Sequence, residues 1–127
     1  LAKTIGIIGG TGPEGKGLAA RFAQAGMEVL IGSRSTERGE EAANDVRERA
    51  GGNVRGTTNA EAARVADIVV VTVPYSGQAD TLSALKDEIG SRIVVSTVVP
   101  MQFSPGRVEM LMLEDGSAAQ EAQRLLP

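Results

Sequence analysis

The run Asp67-Ile68-Val69-Val70-Val71-Thr72-Val73 constrains the fold more than any other stretch of this chain. Its apolar residues are continuous rather than alternating. Such a strand has both faces covered, which is the mark of a parallel sheet. Parallel neighbours need crossover connections, usually helices, and the sequence supplies them. Residues 5–8, 29–31, 54–57 and 92–97 read as further strands, alongside 67–73. Leu18, Ala19, Phe22 and Ala23 mark one helical face by the i, i+4 rule, and Gly26 ends that helix. Helices are also expected over 36–50, 59–65 and 76–89, and over a last run to Leu126 with Ser117 as N-cap. Residues 101–116 show no clear period and read as a loop or excursion. Strands alternating with helices predict an α/β fold, a Rossmann-type doubly wound, mainly parallel sheet with helices on both faces. Such sheets bind ligands at the carboxyl ends of their strands.

Composition narrows the chemistry. The 127 residues suggest one domain, spanning 1–127. Hydrophobic residues make up 42% and aromatics only 2%, so the core must be aliphatic. A net charge of -3 argues against a nucleic-acid or acidic-membrane partner. The chain has no cysteine and no histidine, which removes thiolate chemistry, Ser-His and Cys-His pairs and the commonest metal ligands. No cluster has metal-ligand spacing, and no apolar run is long enough for a signal peptide or membrane span, so a cytoplasmic location is expected.

The segment IGIIGGTGPEGKG, residues 5–17, contains two phosphate-loop patterns. Gly10-Thr11-Gly12-Pro13-Glu14-Gly15 spells G-x-G-x-x-G. Gly10 to Lys16 also spells a Walker A loop lacking its final hydroxyl, because position 17 is Gly. A triphosphatase needs that hydroxyl and a strand-end Asp for Mg²⁺. The apolar strand carries its only acid, Asp67, at its start, so both metal groups are missing. The dinucleotide reading has its context, since the glycines follow a strand and open a helix. Gly10 is expected to permit the tight turn, Gly12 to admit the pyrophosphate and Gly15 to let the helix pack closely. Pro13 suits the first helical turn, and Glu14 favours the helix N-terminus through the dipole. A Gly-rich turn without a nucleotide is the bland alternative.

The second strand chooses the nucleotide. An NAD site places an acid there for the ribose 2′-OH. This strand ends Gly32-Ser33-Arg34, with Arg38 one helical turn later. A hydroxyl and two guanidiniums fit a 2′-phosphate, and Thr11 is within reach of the same group. A pair of arginines that merely solvates a helix start would oppose the helix dipole.

These residues resemble the F420-dependent NADP oxidoreductases, also called NADPH:F420 reductases. The likeness runs through residues 5–34, through ADIVVVTVPYSGQADTL and through RIVVSTVVPMQF, covering essentially the whole chain. It implies hydride transfer between NADP(H) and the deazaflavin coenzyme F420. It implies that Thr11, Ser33, Arg34 and Arg38 hold the 2′-phosphate and that Gly10 and Gly12 form the pyrophosphate turn. It implies that Val73, Pro74 and Tyr75 border the cofactor, and that nicotinamide and deazaflavin meet near Val98, Val99, Pro100 and Met101. A homodimer is also implied. Family members continue into a smaller C-terminal part that helps close the F420 cleft, so this chain is expected to be the NADP-binding part.

Hydride transfer between two coenzymes needs no protein nucleophile, which suits a chain without His or Cys. No catalytic side chain is expected. Tyr75 has no Lys four residues on, since position 79 is Ala. Two other readings stay open: another NADPH-dependent reductase of related fold, acting on imines, flavins or ferric iron, and a non-enzymatic NADP-binding module.

Overall fold

All five expected strands pair in one sheet, and every pairing is parallel. The computed structural model describes residues 3–127. The strands are β1 (Thr4–Ile8), β2 (Glu28–Ser33), β3 (Val54–Thr58), β4 (Ile68–Val71) and β5 (Ile93–Ser96), in the order β3-β2-β1-β4-β5. Helices α1 (Pro13–Gln24) and α2 (Thr36–Ala50) carry the chain outward from β1 to β3. Helix α3 (Asn59–Val65) then returns it across the sheet to β4, on the far side of β1. This reversal puts the topological switch point between β1 and β4, where such folds open a ligand crevice.

Burial explains the two layers. Ile5, Ile7, Val29, Ile31 and Val70 pack with Ala19 and Ala23 of α1 and Ala42, Ala43 and Val46 of α2. On the opposite face Ile8, Leu30, Val69 and Val71 meet Ala62 and Ala63 of α3, Leu82, Ile89 and Ala122. The small alanines let helices sit close, and the β-branched strand residues fill the space between. Each fully buried Val, Leu or Ile contributes about 1.5–3 kcal/mol. The closest approach is between α2 and β3. A Cβ built on Gly56 would lie 1.9 Å from the Gly39 carbonyl carbon, so only glycine fits.

Three expectations need correction. The apolar run 67–73 is trimmed to Ile68–Val71. Asp67 instead uses its carboxylate to accept the Thr4 N–H at 2.8 Å, and the Thr72 hydroxyl bonds the carbonyls of Ile8 and Gly9. The helix expected over 76–89 is two, α4 (Tyr75–Ala84) and α5 (Lys86–Ile89). Leu85, at φ -103°, breaks it while staying buried with Leu82 and Ile89, so the apolar period runs on across the break. Finally, 101–116 is not loop throughout. It contains an antiparallel hairpin, β6 (Met101–Ser104) and β7 (Arg107–Met110), turning at Pro105-Gly106, with Gly106 at φ 71°. Helix α6 (Ala118–Leu125) follows, capped by Ser117 as expected, whose hydroxyl accepts the Gln120 N–H.

Candidate functional site

The carboxyl ends of β1, β2 and β4 border a cavity of about 300 Å³. The glycine turn after β1 forms one wall through Gly9 and Thr11. Ser33, Arg34 and Arg38, at the end of β2 and the start of α2, form the second. Val73 and Pro74 after β4, with Gly77 and Thr81 of α4, form the third. The four residues assigned to a 2′-phosphate thus face one space, although Thr11 and Arg38 lie far apart in sequence.

The turn has a different division of labour from the one expected. The positive φ, 68°, belongs to Gly9 rather than Gly10. Gly10 is a packing glycine, since a Cβ there would lie 2.9 Å from the Ile7 side chain. Gly15 is also required for packing, but against the turn itself, with Gly10 backbone 2.5 Å from its built Cβ. Gly12 has nothing within 4 Å of that position. It faces open space, as a loop that admits a ligand must. Pro13 opens α1, and Glu14 lies exposed in its first turn.

Helix caps separate the two kinds of helix start. Ser35, Thr58 and Ser117 cap α2, α3 and α6 through their hydroxyls. Helices α1 and α4, which open beside the cavity, begin at Gly12 and Pro74 with no side-chain cap, as does the short α5 away from it. The first-turn N–H groups of α1 have no intrahelical partner, whereas in α4 the Gly77 N–H bonds the Pro74 carbonyl at 2.9 Å. An anion at α1 would satisfy them and gain from the dipole.

The charges tell the same story. Among the described residues, the side chains of Arg34 and Arg38 make no hydrogen bond and no ion pair. Every other arginine has a partner. Arg47, Arg49, Arg55, Arg64, Arg107 and Arg124 pair with carboxylates, Arg21 bonds Gln24, and Arg92 bonds four backbone carbonyls. Arg34 and Arg38 are exposed at the start of α2, where the dipole disfavours cations. An anion between them would relieve that. The donor set therefore fits a dinucleotide with a phosphorylated ribose.

Lys16, the lysine of the Walker A pattern, does not face this space. Its ammonium meets Asp45 of α2 at 2.7 Å, and this bond holds the Asp45 carboxyl below its ordinary pKa. The pattern is a coincidence of spacing.

The remaining expected residues lie elsewhere. The Tyr75 hydroxyl donates to Glu121 of α6 at 2.9 Å, and that hydrogen bond raises its pKa. Its ring ties α4 to α6, and it does not line the cavity. Val98, Val99, Pro100 and Met101 join β5 to the hairpin and do not line it either. Val98 packs on the second core cluster, while Val99 is 49% exposed. Four wall residues lie outside the sequence expectations: Gly9, Asn59, Gly77 and Thr81. Gly77 and Thr81 sit on α4 four apart, a spacing that would have flagged them once that helix was placed at the cavity.

Among the described residues, no group of three or more acidic, His or Cys side chains could hold a metal ion. No helix there is long and apolar enough to cross a membrane.

Comparison with known proteins bears directly on this geometry. Residues 4–100 match the family model described as NADP oxidoreductase, coenzyme F420-dependent. The F420-dependent NADP reductase of Methanothermobacter thermautotrophicus is 45% identical over 99% of this chain and 56% of its own length. That of Methanocaldococcus jannaschii is 38% identical over 96% of this chain and 57% of its own length. The chain therefore spans little more than half of these relatives. A solved structure from Arthrobacter sp. FB24, assigned provisionally as an F420-dependent NADP reductase, superposes with a TM-score of 0.80 at 23% identity. It covers 98% of this chain and 58% of that one. A lactate dehydrogenase from Cryptosporidium parvum gives 0.66 at 17% identity, over 80% of this chain and 38% of its own. At such identities the two structures establish the fold alone.

Proposed function

The chain belongs to the coenzyme F420-dependent NADP oxidoreductase family, and from that premise we propose that it supplies the NADP(H) site for hydride transfer between NADP(H) and coenzyme F420. The single observation that carries the reading is the pair of unpartnered guanidiniums, Arg34 and Arg38, facing one cavity with Thr11 and Ser33. When bound, the two coenzymes supply the hydride donor and acceptor. The chain's own residues bind and orient. The Gly10–Gly12 turn and the uncapped start of α1, with Pro13, Glu14 and Gly15, receive the pyrophosphate. Ser33 and Thr11 donate hydroxyl hydrogen bonds to the 2′-phosphate. Arg34 and Arg38 grip it, each charge-assisted bond contributing about 1.5–3 kcal/mol. Val73 and Pro74 wall the adenosine side.

Val98, Val99, Pro100 and Met101 take the reactive end. They leave the carboxyl end of β5, beside the switch point, where the two rings must approach to about 3–3.5 Å. Tyr75 acts there by holding α6 against α4 rather than by proton transfer. A homodimer and a cytoplasmic location complete the reading.

The test is the visible absorbance of oxidised F420 mixed with NADPH and the protein. Bleaching with NADPH and little with NADH is the expected result. Equal bleaching with both would remove the 2′-phosphate assignment. No bleaching by a chain that binds NADPH would leave two readings, another acceptor or an F420 cleft that the C-terminal part completes, and the same assay on a longer chain separates them.

A further inference from the structure

Asn59 links two parts of the cavity wall, the turn after β1 and the end of β2. It is the first residue of α3, and its side-chain oxygen accepts the Gly9 N–H at 3.0 Å. That bond holds the one residue of the phosphate turn with positive φ. The same oxygen would lie 2.7 Å from a Cβ built on Gly32, so the side chain rests on the end of β2. Gly32 in turn accepts the Gly10 N–H at 3.0 Å. The turn after β1 is thereby tied to β2 by one backbone bond and to α3 by one side-chain bond.

This geometry fixes the amide orientation. Only the oxygen can accept an N–H, so Nδ2 must point the other way. Among the described residues Nδ2 makes no hydrogen bond to protein, yet Asn59 lines the cavity with Thr11, Ser33 and Arg34. Two N–H donors are left on a side chain whose other end is already anchored. A purely structural contact would need only the oxygen.

We propose that Asn59 is a cofactor-binding residue, its Nδ2 donating to a phosphate or ribose oxygen at the adenosine end of the dinucleotide while its oxygen sets the Gly9 turn. The inference rests on the NADP(H) reading above and extends it to a residue on the third strand–helix junction. Asn59 is preorganised by its Gly9 bond, so little ordering is needed when the ligand arrives.

The test uses 2′,5′-ADP, the adenosine end alone, titrated into the wild-type chain, Asn59→Asp and Asn59→Ala. Asp keeps an oxygen for the Gly9 N–H and exchanges the donor for a negative oxygen. Its thermal midpoint should match wild type, while its Kd for 2′,5′-ADP rises about tenfold or more. Repulsion by the carboxylate acts through space, so the uncharged Asn59→Ala must lose affinity as well for the donor assignment to stand. Asn59→Ala should raise the Kd too and also lower the thermal midpoint, since the Gly9 anchor is gone. An Asn59→Asp chain that binds within about twofold of wild type would overturn the proposal and leave the NADP(H) reading standing. A wild-type chain that binds neither 2′,5′-ADP nor NADPH would overturn both.

Discussion

Two regions of the sheet meet water in opposite ways. Around β1, β2 and α2 the apolar residues are buried, and the exposed groups facing the cavity are the cations Arg34 and Arg38. At β5 the exposed groups are apolar. Ile93 is 66% exposed and Val95 46%, although they sit in register with Ile68 and Val70, whose face is covered by α1 and α2. The hairpin continues the pattern. Met101, Phe103, Val108 and Met110 share one of its faces, and the last three are at least 60% exposed. A charged opening suits a phosphorylated ligand. Contiguous exposed apolar surface suits a hydrophobic cover. The β1–β2 side presents its own charged opening, while the β5 side displays apolar surface that gains by being covered.

The strongest way to break this comparison is to disturb the packing on the nucleotide side. Gly56→Val would drive a side chain into the backbone of Gly39 and Glu40. A loss of about 3 kcal/mol or more in unfolding free energy is expected. A thermal midpoint close to wild type would mean that α2 and β3 are not in the close contact described. The double change Arg34→Ala with Arg38→Ala comes next. It should raise the Kd for NADPH about a hundredfold while leaving that for NADH within about threefold. Calorimetric titration reads both, and an equal loss for the two nucleotides would mean that the arginines do not see the 2′-phosphate.

The β5 side should be far more tolerant. Phe103→Ser with Val108→Thr should change unfolding free energy by less than about 0.5 kcal/mol, as for exposed positions generally. A larger loss in denaturant titration would show the hairpin face to be covered after all. The smallest effect concerns Glu40. It accepts the Gly56 N–H at 2.8 Å and pairs with Arg47, and both contacts, the first more than the second, hold its pKa below the ordinary value. A depressed carboxylate stabilises the fold above its unfolded pKa, about 4.3. That contribution is lost as pH falls through the lower folded value. Half-exposure keeps it well under about 1 kcal/mol. Glu40→Gln should flatten this acid limb of the stability curve, and an unchanged limb would place the acid sensitivity elsewhere.

The sequence exposed most of the scaffold because buried strands leave unbroken apolar runs and capped helices leave Ser or Thr at their starts. Ser117 and the span Thr36–Ala50 are such cases. The hairpin was legible in principle. Apolar and polar residues alternate on both sides of Pro105-Gly106, a pairing that marks a turn. It was obscured because its apolar face is solvent-exposed, so no core pattern announces it. The glycine turn was read one residue out of place, since motif spacing cannot say which glycine of Gly9-Gly10 takes positive φ. Lys16 shows the opposite error that a motif can invite, because its pairing with Asp45 depends on how α1 crosses α2. Asn59 was invisible for a similar reason. Its partner Gly9 lies fifty residues away in sequence, and only the return of α3 across the sheet brings them together.

The most direct test of the account is a paired titration of the 127-residue chain with NADPH and with NADH under one buffer and salt condition. The Ser33-Arg34-Arg38 arrangement predicts a Kd for NADPH at least about tenfold lower than for NADH, narrowing as salt is raised. Equal affinities, or a preference for NADH, would contradict it.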